Sequence, residues 1–153
     1  MRKYGPKLQK KYLKETIIMK NQPSIHEYII TISSCFINTN IPFCIAGGIA
    51  VSLWGHVRAT EDLDVIALID ETHDFLKRCI QNRKLFSVKG INIPVINLED
   101  LIVLTCASGR YQDIADVQAL LAGSFPIDRD YSIKQLDALQ VTLAPDIQKI
   151  ILQ

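Results

Sequence analysis

Residues 43–69, FCIAGGIAVSLWGHVRATEDLDVIALI, constrain this chain more than any other stretch. Four apolar residues run into Gly47-Gly48, which reads as a short strand (43–46) ending in a sharp turn. The IAVSLWG that follows is short and apolar, predicting one or two buried helical turns ended by Gly55. A polar connection, His56–Glu61, leads to a second strand opened by Asp62 and Asp64. Side chains two apart on a strand leave the same face, so this strand has a carboxylate-bearing rim and a mostly apolar body.

Paired glycines at a strand-to-helix turn let backbone approach a ligand and aim N–H groups at an anion, usually phosphate. A tight turn and close packing account for an isolated Gly-Gly equally simply. Asp62 and Asp64 suit oxygen-preferring magnesium, which neutralises triphosphate oxygens and holds them for in-line attack. A solvent-facing strand end is the plain alternative for the carboxylates.

The rest of the chain alternates helices and strands. Residues 6–20 could form a helix after Pro6. Ser24 as N-cap with Glu27 three residues on forms a capping-box pattern, and Ile25, Tyr28, Ile29, Ile32 and Phe36 give an apolar stripe to about residue 37. Asp70-Glu71-Thr72 start a helix over 72–82 with Phe75, Leu76, Cys79 and Ile80 inward. Leu85–Lys89 and Ile91–Ile96 read as two strands, or a bent ribbon, around Gly90. Asn97-Leu98-Glu99-Asp100 looks like a helix cap, opening helices at 98–107 and about 112–122, with one more near 132–139 and a short apolar end after Pro145. The class is α/β or α+β in a single domain over 23–153, preceded by a basic arm or helix over 1–22.

Composition narrows the partners. Among 153 residues, 48% are hydrophobic and 22% charged, which excludes wholesale disorder, and a net charge of +1 excludes a molecule-wide nucleic-acid-binding field. The charge is uneven: residues 1–20 hold seven Lys or Arg against Glu15 alone. A solvated tail or fraying helix is the first reading of that arm; contact with RNA or an acidic partner is the second. Cys35, Cys44, Cys79 and Cys106 form no CxxC pair and sit among apolar residues, as buried thiols of a reducing cytosol do. With neither a secretory pattern nor a membrane-length apolar run, the expectation is a cytoplasmic protein.

An apolar strand, Gly-Gly, about a dozen residues and then Asp-apolar-Asp-apolar resembles the signature of the nucleotidyltransferase superfamily of the polymerase beta type. AGGIAVSLWGHVRATEDLDVIAL looks like its small prokaryotic branch, found in toxin–antitoxin and abortive-infection modules, and INIPVINLEDLIVLTCASGRYQDIADVQALL is similar to the helical region of that branch. The resemblance implies a nucleotidyltransferase fold, a small mixed sheet flanked by helices. It implies Mg2+-dependent transfer of an NMP group from an NTP to a protein or RNA hydroxyl, with a cognate toxin or antitoxin as partner. Gly47 and Gly48 would line the phosphates, Asp62 and Asp64 would hold magnesium, and Arg58 and Thr60 would border the nucleotide. Arg58 would clamp phosphate, or be a surface turn residue; His56 reads as an exposed loop histidine. Asp113 and Asp116 match the branch's acidic pair, which capping and surface solvation explain equally well.

Two departures stand out. Leu85–Ile96 contains no Asp or Glu, so the family's third carboxylate is missing, as though a helix–strand piece were deleted, and Thr105 stands where the family often has a lysine. Glu99 or Asp100 could replace the carboxylate, although capping explains both. The alternative to an enzyme is therefore a catalytically degenerate module that binds a protein partner.

Overall fold

The computed structural model describes residues 23–68 and 73–152. The expected helix at 6–20, the basic arm, and the helix start at Asp70-Glu71-Thr72 lie outside them. Helix α1 (Ile25–Asn38) begins in the expected capping box: the Ser24 N–H donates to Glu27 Oε2 at 2.6 Å and the Glu27 N–H to Ser24 Oγ at 3.4 Å. These bonds satisfy two donors that the first helical turn leaves without partners. The Ser24 backbone and hydroxyl hold the Glu27 carboxyl below its usual range.

Strand β1 (Phe43–Ala46) lies inside the sheet, and all four of its residues are buried. It pairs antiparallel with β2 (Asp64–Ala67), Ala46 opposite Asp64, and parallel with β4 (Ile91–Val95). β3 (Lys84–Val88) completes the mixed sheet, in the order β2-β1-β4-β3. Burial on both faces is why β1 is continuously apolar rather than alternating. β3 and β4 form a hairpin whose loop residues, Lys89 (φ 48°) and Gly90 (φ 81°), both take left-handed conformations. A two-residue hairpin loop of type I′, whose twist matches that of the strands, requires that conformation at both positions.

Helix α2 (Gly47–Leu53) follows β1 directly and packs on β1, β2 and α4 (Leu98–Ser108). α4 is the hub of the helical layer, touching α2, α5 (Tyr111–Leu121) and α6 (Arg129–Ala138). Its buried Leu101, Ile102 and Val103 explain this, since each such side chain contributes about 1.5–3 kcal/mol when removed from water. The Asn97 side chain caps α4, accepting from the Asp100 N–H at 3.0 Å, and Gly109 ends it at φ +65°. Trp54, just past α2, donates its indole N–H to the Ile96 carbonyl at 2.9 Å and packs edge-on against Phe86 and Phe125.

Several expectations need correction. α3 runs Asp74–Gln81 with His73 as N-cap, and Leu76 is 37% exposed while Phe75, Cys79 and Ile80 are buried. α3 begins later than 72, and its inward stripe is too narrow to include position 76. Cys35 is exposed on α1; only Cys44, Cys79 and Cys106 are buried, and burial pushes the Cys44 and Cys106 thiols up to about 12. The end after Pro145 is helix α7 (Pro145–Ile151), which packs on α5. Asp100 and Glu99 do more than cap. Asp100 is fully buried and accepts from the Tyr131 hydroxyl at 2.7 Å, while Glu99 Oε1 accepts the Asp128 N–H at 3.2 Å. Both tie α4 to α6. No helix among the described residues is long and apolar enough to cross a membrane.

Candidate functional site

β1 delivers the chain to Gly47, whose φ of +59° lies in the left-handed region where a Cβ is costly. Space demands glycine here as well. A Cβ on Gly47 would overlap the Asp64 carboxylate and lie 2.6 Å from its Cγ. At Gly48 a Cβ would fall 2.8 Å from both Arg58 Nη2 and Thr60 Oγ1. The turn is thus covered on one side by a carboxylate from β2 and on the other by a guanidinium and a hydroxyl from the 56–63 connection. The antiparallel register that sets Ala46 opposite Asp64 brings the carboxylate to this place.

Gly47, Gly48, Arg58 and Asp64 line one cavity of about 190 Å³, closed on its far side by Leu101, Leu104, Thr105, Ser108, Arg110, Asp113 and Asp116 from α4, α5 and their connection. Four of the six expected site residues are therefore brought together. Thr60 touches the turn at Gly48 but borders a neighbouring groove instead. Asp62 is exposed, lies ahead of β2 rather than in it, and does not line the cavity. Pairing with β1 starts only at Asp64, so the sheet register fixes the place of Asp64 and leaves Asp62 in the preceding connection.

Four residues with a surface reading, His56, Arg58, Asp113 and Asp116, have partners instead. Asp116 is 2% exposed, and its Oδ1 stands 3.0 Å from Arg58 Nε and 3.7 Å from His56 Nε2. Arg58 is thus no free turn residue, and His56 has a partner. Asp113, also buried, accepts from the Arg110 N–H at 2.9 Å, from the Arg110 guanidinium and from the Ser108 hydroxyl. Burial pushes its carboxyl up, but these donors outweigh burial and hold it below the ordinary carboxylate range. Helical period could have exposed both acids: residues 113, 116, 117 and 120 share one face, and Val117 and Leu120 on it are core.

Thr105 lines the cavity and donates its hydroxyl to the Leu101 carbonyl at 2.7 Å. Asp100 and Glu99, directed to α6, do not reach the cavity. Magnesium keeps several waters and is typically held by one or two carboxylates plus substrate phosphates. Asp64, beside the Gly47 backbone and with Asp62 two positions earlier in the chain, fits that donor set for a single ion. Asp113 and Asp116 are already engaged by Ser108, Arg110 and Arg58. Among the described residues no group of three His, Cys, Asp or Glu side chains could hold a metal by itself.

No protein-family model matches the chain, and no curated protein does either. Among solved structures it is similar to an antigenic nucleotidyltransferase-like protein from Paracoccidioides brasiliensis, with 14% identity and a TM-score of 0.56, over 82% of this chain and 91% of that one. That likeness shows the fold. The mixed four-stranded sheet with its helices is a nucleotidyltransferase-like fold.

Proposed function

We propose that the chain is a magnesium-dependent nucleotidyltransferase that moves an NMP group from an NTP to a protein or RNA hydroxyl, within a toxin–antitoxin pair. The observation that carries this reading is the turn itself, with an Asp64 carboxylate packed on Gly47 and an Arg58 guanidinium over Gly48 in one cavity. Gly47 and Gly48 would give phosphate oxygens close access to backbone N–H groups. Arg58 would add a charge-assisted donor through Nη2. Asp64, with Asp62, would hold the magnesium, which when bound supplies charge neutralisation on the triphosphate. The groove on the other side of Arg58, about 610 Å³ and lined by Ile29, Ile49, Leu53 and Val57 among others, has the size of a small-molecule site.

The second reading is a degenerate module that binds a protein partner. Thr105 favours it, since that position faces the cavity yet spends its hydroxyl on its own helix. Calorimetric titration of the four NTPs, with and without magnesium, separates the two. Magnesium-dependent binding that is lost in Asp62→Ala/Asp64→Ala is expected for the enzyme. Absence of binding to any nucleotide would discard it in favour of the module, and partner capture unaffected by the same double substitution would support that module directly.

A further inference from the structure

The carboxylate of Asp116 is out of place on its helix face. It shares that face with Val117 and Leu120, where an apolar side chain would fill the volume without the cost of burying a charge. Its neighbours come from the 56–63 connection: the Arg58 guanidinium, with Nε at 3.0 Å, and the His56 ring, with Nε2 at 3.7 Å. Arg58 Nε and Asp116 Oδ1 are both buried without a hydrogen-bond partner, so the N–H is off line and the contact is ionic. The other edge of the guanidinium is spoken for differently. Nη1 donates to the Ala59 carbonyl at 3.3 Å, and Nη2 stands over Gly48.

We infer that Asp116 is a positioning residue: from inside α5 it holds the Arg58 guanidinium by its Nε, so that Nη2 faces an anionic oxygen at the Gly47–Gly48 turn. This rests on the reading of that turn as a phosphate site. Arg58 lies in a connection with no strand or helix ladder, and an arginine side chain has many rotamers to lose when it is ordered. A fixed charge at Nε removes that freedom before any anion arrives. His56, two residues earlier, lies 3.7 Å from the same carboxylate oxygen, so the connection runs along α5 on both sides of the exposed Val57. The helical layer thereby sets the geometry of a donor that belongs to the strand layer.

The test is a double-mutant cycle read by calorimetry, with magnesium tripolyphosphate as the probe. Arg58→Ala is expected to weaken binding roughly ten-fold, the scale of a lost charge-assisted hydrogen bond. Asp116→Asn should weaken it roughly three- to ten-fold in the Arg58 protein and leave it unchanged in the Arg58→Ala background. Equal weakening in both backgrounds, or none in the first, overturns the inference. Circular dichroism melting checks that Asp116→Asn is folded. If it is not, Arg58→Lys decides: an ammonium can face Asp116 but has no second edge, so affinity should fall to the Arg58→Ala level, and wild-type affinity overturns the inference. Failure of the unaltered protein to bind tripolyphosphate overturns the phosphate-site reading itself, and this inference with it.

Discussion

Gly47→Ala separates backbone strain from crowding at the turn. The left-handed φ of +59° costs a non-glycine residue about 1–2 kcal/mol. The new methyl would also overlap the Asp64 carboxylate and stand 2.9 Å from Asp64 Cβ, so the aspartate must leave its place. An off-rotamer side chain costs about 0.5–1.5 kcal/mol. Together these predict a loss of roughly 2–3 kcal/mol. In urea, with a slope of about 1–3 kcal/mol per molar, the midpoint should fall by roughly 1–2 M with the slope unchanged. The informative measurement is the same substitution in an Asp64→Gly background, where the crowding is gone and only about 1–2 kcal/mol of backbone cost remains. Unfolding followed by far-ultraviolet circular dichroism gives both values. If Gly47→Ala costs the same in the two backgrounds, the carboxylate does not pack on the turn and Asp64 has no place in the site.

Three further outcomes are expected. Thr105→Lys puts an ammonium into a cavity lined by Asp64, Asp113 and Asp116, and should raise affinity for magnesium tripolyphosphate by about ten-fold on the scale of one charge-assisted contact; unchanged or weaker binding in titration would refute that. The carboxyl of Asp113 is held low in the folded protein, so its contribution is present above the unfolded pKa and lost as pH falls through the folded one. Asp113→Asn should therefore cost about 1.5–3 kcal/mol near neutral pH, and its deficit against wild type in urea melts should close in acid. Asp100 behaves oppositely: burial raises its carboxyl despite the Tyr131 hydroxyl, so the folded state binds the extra proton. Stability should then fall as pH rises from about 3.9, the unfolded value, through the raised one. Asp100→Asn should flatten that decline in thermal melts across the same window.

What could be read without coordinates was local. β1, the Gly47-Gly48 turn and β2 stand out because an uninterrupted apolar run, a glycine pair and a polar gap each have one structural use. The Ser24–Glu27 and Asn97 caps were legible for the same reason, each spanning only three residues. The links that organise the cavity are not local. Asp116 meets Arg58 across 58 positions of chain, and no local pattern joins a loop cation to a helix acid. Tyr131 bonds Asp100 across a separation of 31. A carboxylate preceding a run such as LIVL reads as a cap because that use needs no distant partner. Hydropathy alone puts Leu76 and Cys35 inward, whereas their exposure depends on how wide a face the neighbouring elements cover.

Trp54 is the only tryptophan in the chain. It sits where α2 ends, seven residues from the turn at which α2 begins, and its indole is bonded to Ile96 between two phenylalanine rings. The helix between them is only seven residues long, and its middle, Gly48–Val51, is buried. The protein therefore carries its single tryptophan fluorophore at the far end of its candidate site. Its emission depends on one partly buried environment and one hydrogen bond, so a change in the Gly47–Gly48 turn has an optical signature that needs no label.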